Sequence, residues 1–332
     1  MKHILYHTDP DGFASGAIVR YALLDSGTPE DEIEMHPINY GMELPKIDYE
    51  NDEAIMVDFS LQPYERMTEF AEKLGERLTW IDHHETSLQM QKDTPMLEDI
   101  RGLRAISCSK DGEFDVNEDD PKIAGCELTW MYYFPREPIP LFVELIGDWD
   151  TWRWKDIPDS KAPEYITYLN SADFDPQESF PWWKRMIEDE LSEYGSTEET
   201  VEKMIRTGSL LLEYKRFQDK EKMEANSFEA YFAGHRAILI NGSGNTEAFK
   251  GFYDPDRHDL MVNFQLGKEG YWTVGIFTET PDRVHCGRLA EELGHEGPIP
   301  SGGGHDGAAG FQTTWRYFNS LLDPEVPDPE VA

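Results

Sequence analysis

Cysteine is scarce in this chain, and where it occurs it fits no common pattern. The 332 residues hold three: Cys108, Cys126 and Cys286, far apart and without a Cys-x-x-Cys pair. That argues against a disulfide framework and against a zinc finger. Basic residues are also few, with 30 Lys and Arg against 66 Asp and Glu, a formal net charge of −36. Tight binding of long nucleic acid at low salt draws on Lys and Arg, so an extended basic groove is not expected. Long apolar runs are missing as well. No stretch approaches the ~18–20 apolar residues that span a bilayer, and His7 and Asp9 arrive too soon for a signal peptide. The expectation is a cytoplasmic protein with no membrane partner.

What is present begins with the charge. The acids are spread along the whole chain rather than gathered in a tail, which describes a solvated acidic coat. At this density it suggests adaptation to molar salt, where the Debye length is about 3 Å and self-repulsion is screened. A halophilic cytoplasm is the expectation and an ordinary acidic protein the alternative. With 39% hydrophobic and 12% aromatic residues the chain can build cores, so global disorder is not expected. Its length suits two domains.

Three short apolar runs end in acid or histidine. They are His3-Ile4-Leu5-Tyr6-His7 leading into Thr8-Asp9-Pro10-Asp11-Gly12, then Ala54-Ile55-Met56-Val57-Asp58, and Leu78-Thr79-Trp80-Ile81-Asp82-His83-His84. Each run is about strand length, and helical spacing follows. Residues 14–24 read as a helix. After Pro63, Met67, Phe70, Ala71 and Leu74 share one apolar face. Strand, helix, strand over 54–82 is a βαβ unit, which predicts a parallel pair; residues 33–38 add another strand.

Downstream, 124–134 reads as a buried helix, and 141–146 leads into Gly147-Asp148-Trp149-Asp150. Segment 157–197 shows no clear period. Residues 198–225 read as a long polar helix with Val201, Ile205, Leu212 and Phe217 inward. Strands are expected over 236–240, 259–266 and 271–278, with a short helix over 286–293 and a glycine-rich stretch over 301–310. The predicted class is α/β: a parallel-sheet domain with flanking helices over 1–190, a helical connector over 191–228, a smaller α/β domain over 229–317, and a mobile acidic tail over 318–332.

In an open α/β sheet, ligands collect beyond the carboxyl ends of parallel strands. Three strands delivering Asp and His to one edge build a polar cluster that cations can neutralise. His7, Asp9 and Asp11 alternate just past a strand, so on extended backbone their side chains share a face. Carboxylates with an imidazole suit Mn²⁺ or Mg²⁺, although Asp-Pro-Asp-Gly is also common turn chemistry. Asp58 closes a strand, where a lone Asp often caps the next helix. Ser60 is at hand for that cap, which frees Asp58, and one carboxylate can bridge two cations about 3.5–4 Å apart. In Asp82-His83-His84 the adjacent histidines point opposite ways at a strand end, so one can bind metal and the other face substrate; an exposed polar turn is the alternative. Trp149, Trp152 and Trp154 are expected to pack rather than to stack on a base. Successive glycine N–H groups near 302–310 form an anion-binding concavity, with a plain flexible loop as the other reading.

Together, His7-x-Asp9-x-Asp11-Gly12, Asp58, Asp82-His83-His84, Asp148 and Gly302-Gly303-Gly304-His305 resemble the DHH phosphoesterase superfamily with its C-terminal DHH-associated domain. The motifs stand in that family's order and span residues 3 to about 311. Cys126-Glu127-Leu128-Thr129-Trp130 and Gly147-Asp148-Trp149-Asp150-Thr151-Trp152 look like the branch with oligoribonuclease (nanoRNase) and cyclic-nucleotide phosphodiesterase members. The resemblance implies that His7, Asp9, Asp11, Asp58, His83 and Asp148 hold two Mn²⁺ ions, with Mg²⁺ or Co²⁺ as alternatives and Asp58 as the bridge. It implies that His84 contacts the scissile phosphate or assists the leaving group, with Asp82 orienting the histidine pair. Gly302, Gly303, Gly304 and His305 would hold the substrate's other end. Asp150 offers a second carboxylate beside Asp148, and Asp148 is taken as the ligand. The Arg that relatives carry on the strand before the glycine loop is absent from Gly275-Ile276-Phe277-Thr278, leaving Arg283 or Arg288 as substitutes.

The activity so implied is a Mn²⁺-dependent phosphodiesterase trimming short oligonucleotides to 5′-mononucleotides. Alternatives are the same chemistry on small nucleotides (linear or cyclic dinucleotides, cyclic mononucleotides, pAp), single-strand exonuclease action, and a non-catalytic replication or repair scaffold. The complete ligand set weighs against the scaffold, and the resemblance leaves room for a homodimer. The acidic coat itself generates a prediction: the thermal midpoint, followed by circular dichroism, rises by several degrees between about 0.1 M and about 2 M KCl as repulsion is screened. A flat or falling midpoint would contradict salt adaptation.

Overall fold

The structure is a computed structural model that describes the chain except residues 41, 110–111, 116–119, 190–195, 245, 269, 299–301 and 324–332. The first sheet forms from β1 (Lys2–His7), β2 (Ile33–Ile38), β3 (Glu53–Val57) and β4 (Leu78–Ile81), parallel and in the order β2-β1-β3-β4. Ile4 to Tyr6, Ala54 to Val57 and Leu78 to Ile81 are buried on both faces, as in parallel sheets covered by helices. Leu5, Met56 and Trp80 pack with Met67, Phe70, Ala71 and Leu74 of α2 (Tyr64–Leu74), while Ile4, Tyr6, Ile55, Val57 and Ile81 pack with Val19 of α1 (Pro10–Asp25). Alternate residues thus serve opposite layers.

After α3 (Glu85–Asp93) the chain builds a helical layer: α4 (Gly125–Tyr133), α5 (Leu141–Asp150), α6 (Ala162–Leu169), α7 (Phe180–Glu188) and the start of α8 (Thr197–Asn226). Its core joins Ala14 and Ile18 to Phe142, Ile146, Tyr165, Trp183 and Val201. Segment 157–197, in which the sequence shows no clear period, carries two short helices. Each runs about two turns, too short for a clear period, but each has a buried face, Tyr165, Ile166 and Leu169 on one and Phe180, Trp183 and Met186 on the other.

The chain divides inside α8, into Met1–Leu212 and Glu213–Ala332. Phe217, expected to point inward, is 58% exposed. Beyond the division it is Met223 that joins a core, packing with Ile238, Ile240 and Met261. The second unit holds β5 (Ser227–Phe232), β6 (His235–Asn241), β7 (Leu260–Leu266), β8 (Trp272–Phe277), α9 (Cys286–Glu296), β9 (Gly303–Gly304), β10 (Ala308–Thr313), α10 (Trp315–Ser320) and β11 (Leu322–Asp323). Its sheet runs β11-β5-β6-β7-β8-β10-β9, antiparallel apart from β6 and β7.

The expected tail over 318–332 begins too early. Phe318 is fully buried, and Leu322 and Asp323 pair with Phe232 and Tyr231 of β5; residues 324–332 lie outside the described residues. The acids and prolines there concealed an aromatic anchor just upstream. Among the described residues no helix is long and apolar enough to cross a membrane. Phe318 packs on Phe232, Phe264 and Trp272, so Phe318→Ala should destabilise the second unit by about 3–5 kcal/mol. Urea unfolding followed by tryptophan fluorescence measures it, and an unshifted midpoint would restore the tail reading.

Candidate metal centre

The carboxyl ends of β1, β3 and β4 meet at one edge. β1 delivers His7 and then Asp9, which caps α1 by accepting from the Gly12 N–H at 2.9 Å. Gly12 is required there, because a Cβ would stand 2.3 Å from the His7 carbonyl oxygen. Asp58 follows β3 in the left-handed region, at φ 53°, where a non-glycine residue carries strain of about 1–3 kcal/mol. It caps no helix, and neither does Ser60: the capping position of α2 is Pro63, with no side-chain cap. β4 delivers Asp82, His83 and His84.

Two ligand groups adjoin Asp58, His7 with Asp9 and Asp58, and Asp11 with His83 and Asp150, and Asp58 also forms a third, overlapping group with His83 and His84. The two histidine rings, expected to point opposite ways, stand side by side with centroids 4.6 Å apart. His7 Nδ1 stands 2.8 Å from Asp9 Oδ2 and 3.8 Å from Asp58 Oδ2. His83 Nε2 stands 3.2 Å from Asp58 Oδ1, 3.5 Å from Asp11 Oδ2 and 3.3 Å from Asp150 Oδ2. Asp58 therefore turns one oxygen toward each group. Both oxygens are sealed from water, and neither accepts a hydrogen bond from a described residue.

Asp11 is anchored from α4: its carboxylate accepts the Gly125 and Cys126 N–H groups at 2.8 and 2.7 Å, where the helix dipole favours an anion. That gives Cys126-Glu127 a role the sequence did not reveal. Asp82 is fully buried. Its Oδ1 accepts the backbone N–H groups of His83 and His84 at 2.8 and 3.2 Å and pairs with the His84 ring through Nδ1 at 2.7 Å.

Asp148, taken from sequence as a ligand, points elsewhere. Arg153 Nε donates to its Oδ1 at 2.9 Å, and the same guanidinium donates to both oxygens of Glu127 at 2.7 and 3.0 Å. Residues two apart on a helix face different ways, so only one of the two acids can reach the cluster, and it is Asp150. The signal was in the sequence. Val143, Ile146, Gly147 and Asp150 fall at helical spacing, and the first three are buried, whereas Asp148 shares a face with exposed Glu144. Assigning no helix across 141–150 hid it. Trp149 and Trp154 do pack, stacked at 5.5 Å, while Trp152 lies under Lys155.

Gly302, Gly303, Gly304 and His305 lie in the second unit. Gly303 and Gly304 pair with Gly310 and Ala309, and the His305 N–H donates to Ala308 O at 2.8 Å. The stretch is a sheet edge rather than a loose loop. Arg283 donates to the Pro255 carbonyl at 2.7 Å.

The electrostatics show what the site lacks. Burial, then the negative fields of Asp11, Asp9 and Asp150, push the Asp58 carboxyl well up; burial, then Asp11 and Asp9, do the same at Asp150. Burial also lowers His83, helped by His84. At His84 burial opposes the charge, but Asp82 overcomes it and raises the imidazole to about 9. Crowded carboxylates with unpartnered oxygens fit a divalent cation, which supplies the missing charge. The donor set of carboxylate oxygen and imidazole suits Mn²⁺-like ions.

No protein-family model matches the chain. It is 26% identical over 326 residues to the uncharacterized protein R106 of Acanthamoeba polyphaga mimivirus, a match covering 93% of this chain and 66% of that protein. It is 24% identical over 191 residues to oligoribonuclease NrnB of Bacillus subtilis (strain 168), covering 52% and 43%. The chain thus spans just under two thirds of the first relative and less than half of the second. Among solved structures, the DHH domain of PF0399, described as a member of the s1p family of ribosomal proteins, aligns with TM-score 0.50 at 14% identity, over 96% of this chain and 84% of that one. The chain has the fold of a DHH domain.

The two acids of α5 separate cleanly by experiment. Asp150→Asn should weaken Mn²⁺ binding by more than about tenfold, measured by calorimetric titration, whereas Asp148→Asn leaves the affinity within about twofold and lowers the melting temperature by loosening Arg153. The reverse pattern would return Asp148 to the ligand set.

Proposed function

We propose that the chain is a two-cation phosphodiesterase that cuts short oligonucleotides to 5′-mononucleotides. The observation that carries this reading is Asp58, buried between two groups of ligand atoms with an oxygen toward each. His7, Asp9, Asp11, Asp58, His83 and Asp150 would hold two Mn²⁺ ions, with Mg²⁺ or Co²⁺ as alternatives. When bound, the cations generate a nucleophile from water at neutral pH and neutralise charge on the phosphoryl oxygens.

The chain's own residues do the rest. Asp11 is held rigid by the α4 N-terminus, so its position does not depend on a ligand arriving. Asp82 fixes the His84 ring and holds a proton on its Nδ1. A charged His84 contacts the scissile phosphate or gives a proton to the leaving oxygen. Gly302, Gly303, Gly304 and His305 are proposed substrate contacts on the strength of the sequence resemblance. The short-substrate reading is supported by the likeness to a protein named oligoribonuclease and by the shortage of Lys and Arg. A halophilic, cytoplasmic setting is part of the proposal and stands on the acidic coat.

The test is an end-labelled RNA ladder from dinucleotides to about twenty-four-mers, with pApA and pAp, in molar KCl and Mn²⁺. Mononucleotides should appear fastest from the shortest members. Asp58→Ala should abolish turnover, and His84→Ala should lower kcat by about 10²–10⁴ while melting like the parent chain. Release from pApA or pAp alone would move the substrate to small nucleotides. No product from any of them, with manganese bound, would leave a scaffold. Near-normal activity in Asp58→Ala would sink the two-cation reading.

A further inference from the structure

A second set of ligand-type side chains lies toward the amino ends of β1 and β2, away from the strand ends that build the centre. His3 and Glu34 are register partners on neighbouring parallel strands, so their side chains share a face of the sheet, and His36, two residues on, shares it too. His3 Nδ1 stands 3.0 Å from His36 Nε2, and Glu34 Oε2 stands 3.4 Å from the first and 3.5 Å from the second. Donors about 2.0–2.2 Å from a tetrahedral Zn²⁺ stand roughly 3.3–3.6 Å from one another. The triangle therefore has close to the dimensions of one face of such a tetrahedron.

A separate observation concerns the other side of His3. Its Nε2 stands 3.0 Å from Asp52 Oδ2, and Asp52 is itself fixed by the Asp48 N–H at 2.9 Å and the Met1 amino group at 2.8 Å. The His3 ring is 2% exposed. A carboxylate on one imidazole nitrogen keeps the proton there and leaves the other nitrogen as a bare donor of electrons, the usual support of a metal-bound histidine. Here that nitrogen is the one in the triangle, where it shares a hydrogen bond with His36 Nε2.

We propose that His3, His36 and Glu34 form a Zn²⁺ site, oriented by Asp52, that clamps the edge strand β2 onto β1. Two imidazoles with one carboxylate favour Zn²⁺ over Mg²⁺ or Mn²⁺, in contrast to the carboxylate-rich centre. Glu34 is exposed, so the fourth position is open to water. An ion there stabilises the fold by linkage, in proportion to its occupancy.

The test counts Zn²⁺ by equilibrium dialysis on the metal-stripped full chain, in the native background and with Asp58→Asn to disable the centre. His36→Ala should bind one ion fewer per chain in both backgrounds and lose the Zn²⁺-induced rise in melting temperature. Glu34→Gln, at an exposed position that does not threaten folding, should weaken the same ion by about tenfold or more. Manganese-dependent turnover, if present, stays unchanged in both variants. Equal Zn²⁺ counts in the parent and Glu34→Gln chains, with equal affinity, would overturn the site and leave the two rings merely hydrogen-bonded to each other.

Discussion

The first unit is organised around a concentration of negative charge that its own cations do not neutralise. Asp58 holds a strained backbone conformation, and the strand before it is buried on both faces, so the carboxylate cannot swing out to water. The neighbours are shaped to leave it in place. A Cβ on Gly125 would stand 2.8 Å from the Asp58 side chain, which obliges α4 to begin with a glycine. The same turn of α4 presents its N–H groups to Asp11, so one helix start satisfies one acid and clears space for another. An unsatisfied buried carboxylate destabilises a fold unless something compensates it. A cluster of this kind could hold a metal ion.

One guanidinium shows how the acids are divided. Arg153 is held by both oxygens of Glu127 and by Asp148, and this raises its pKa further despite burial. Its charge is therefore spent on those two acids. Gly147 makes the arrangement possible, because a Cβ there would stand 2.5 Å from the Glu127 carboxyl carbon. Asp148 and Asp150 sit on one helix two residues apart and meet opposite fates, the first in a protein ion pair and the second among groups that also repel it.

Much of this was legible in the sequence because strand ends are legible. A short apolar run closed by Asp or His states both where a strand stops and which edge its polar residue reaches, and His7, Asp9, Asp11, Asp58 and His83 were all found that way. Asp150 was not, since it belongs to a helix end whose period had to be followed past Gly147. The supporting contacts were invisible for a different reason: Arg153 meets Glu127, and Asp11 meets the start of α4, across stretches of chain that no local pattern connects. Short helices such as α6 and α7 were missed because two turns offer too few positions for a period to stand out, and β5 because Phe228 and Glu229 are exposed at its start and leave no apolar run. The triangle of His3, Glu34 and His36 needs the register of two strands, which sequence alone does not supply.

The acidic coat and the proposed substrate appear opposed, since an anion must approach a chain of net charge −36. The opposition depends on range. At about 0.15 M salt the Debye length is about 8 Å and the coat acts well beyond contact; in molar salt it shrinks to about 3 Å, and only groups touching the substrate matter. A long polyanion gains its affinity from many Lys and Arg contacts, whose effect falls steeply with salt. A short one needs only the few contacts at the reacting phosphate, where bound cations reverse the sign of the local field. High salt would thus remove the penalty of the coat while leaving the centre intact, and it would favour short substrates over long ones without any change in the shape of the site.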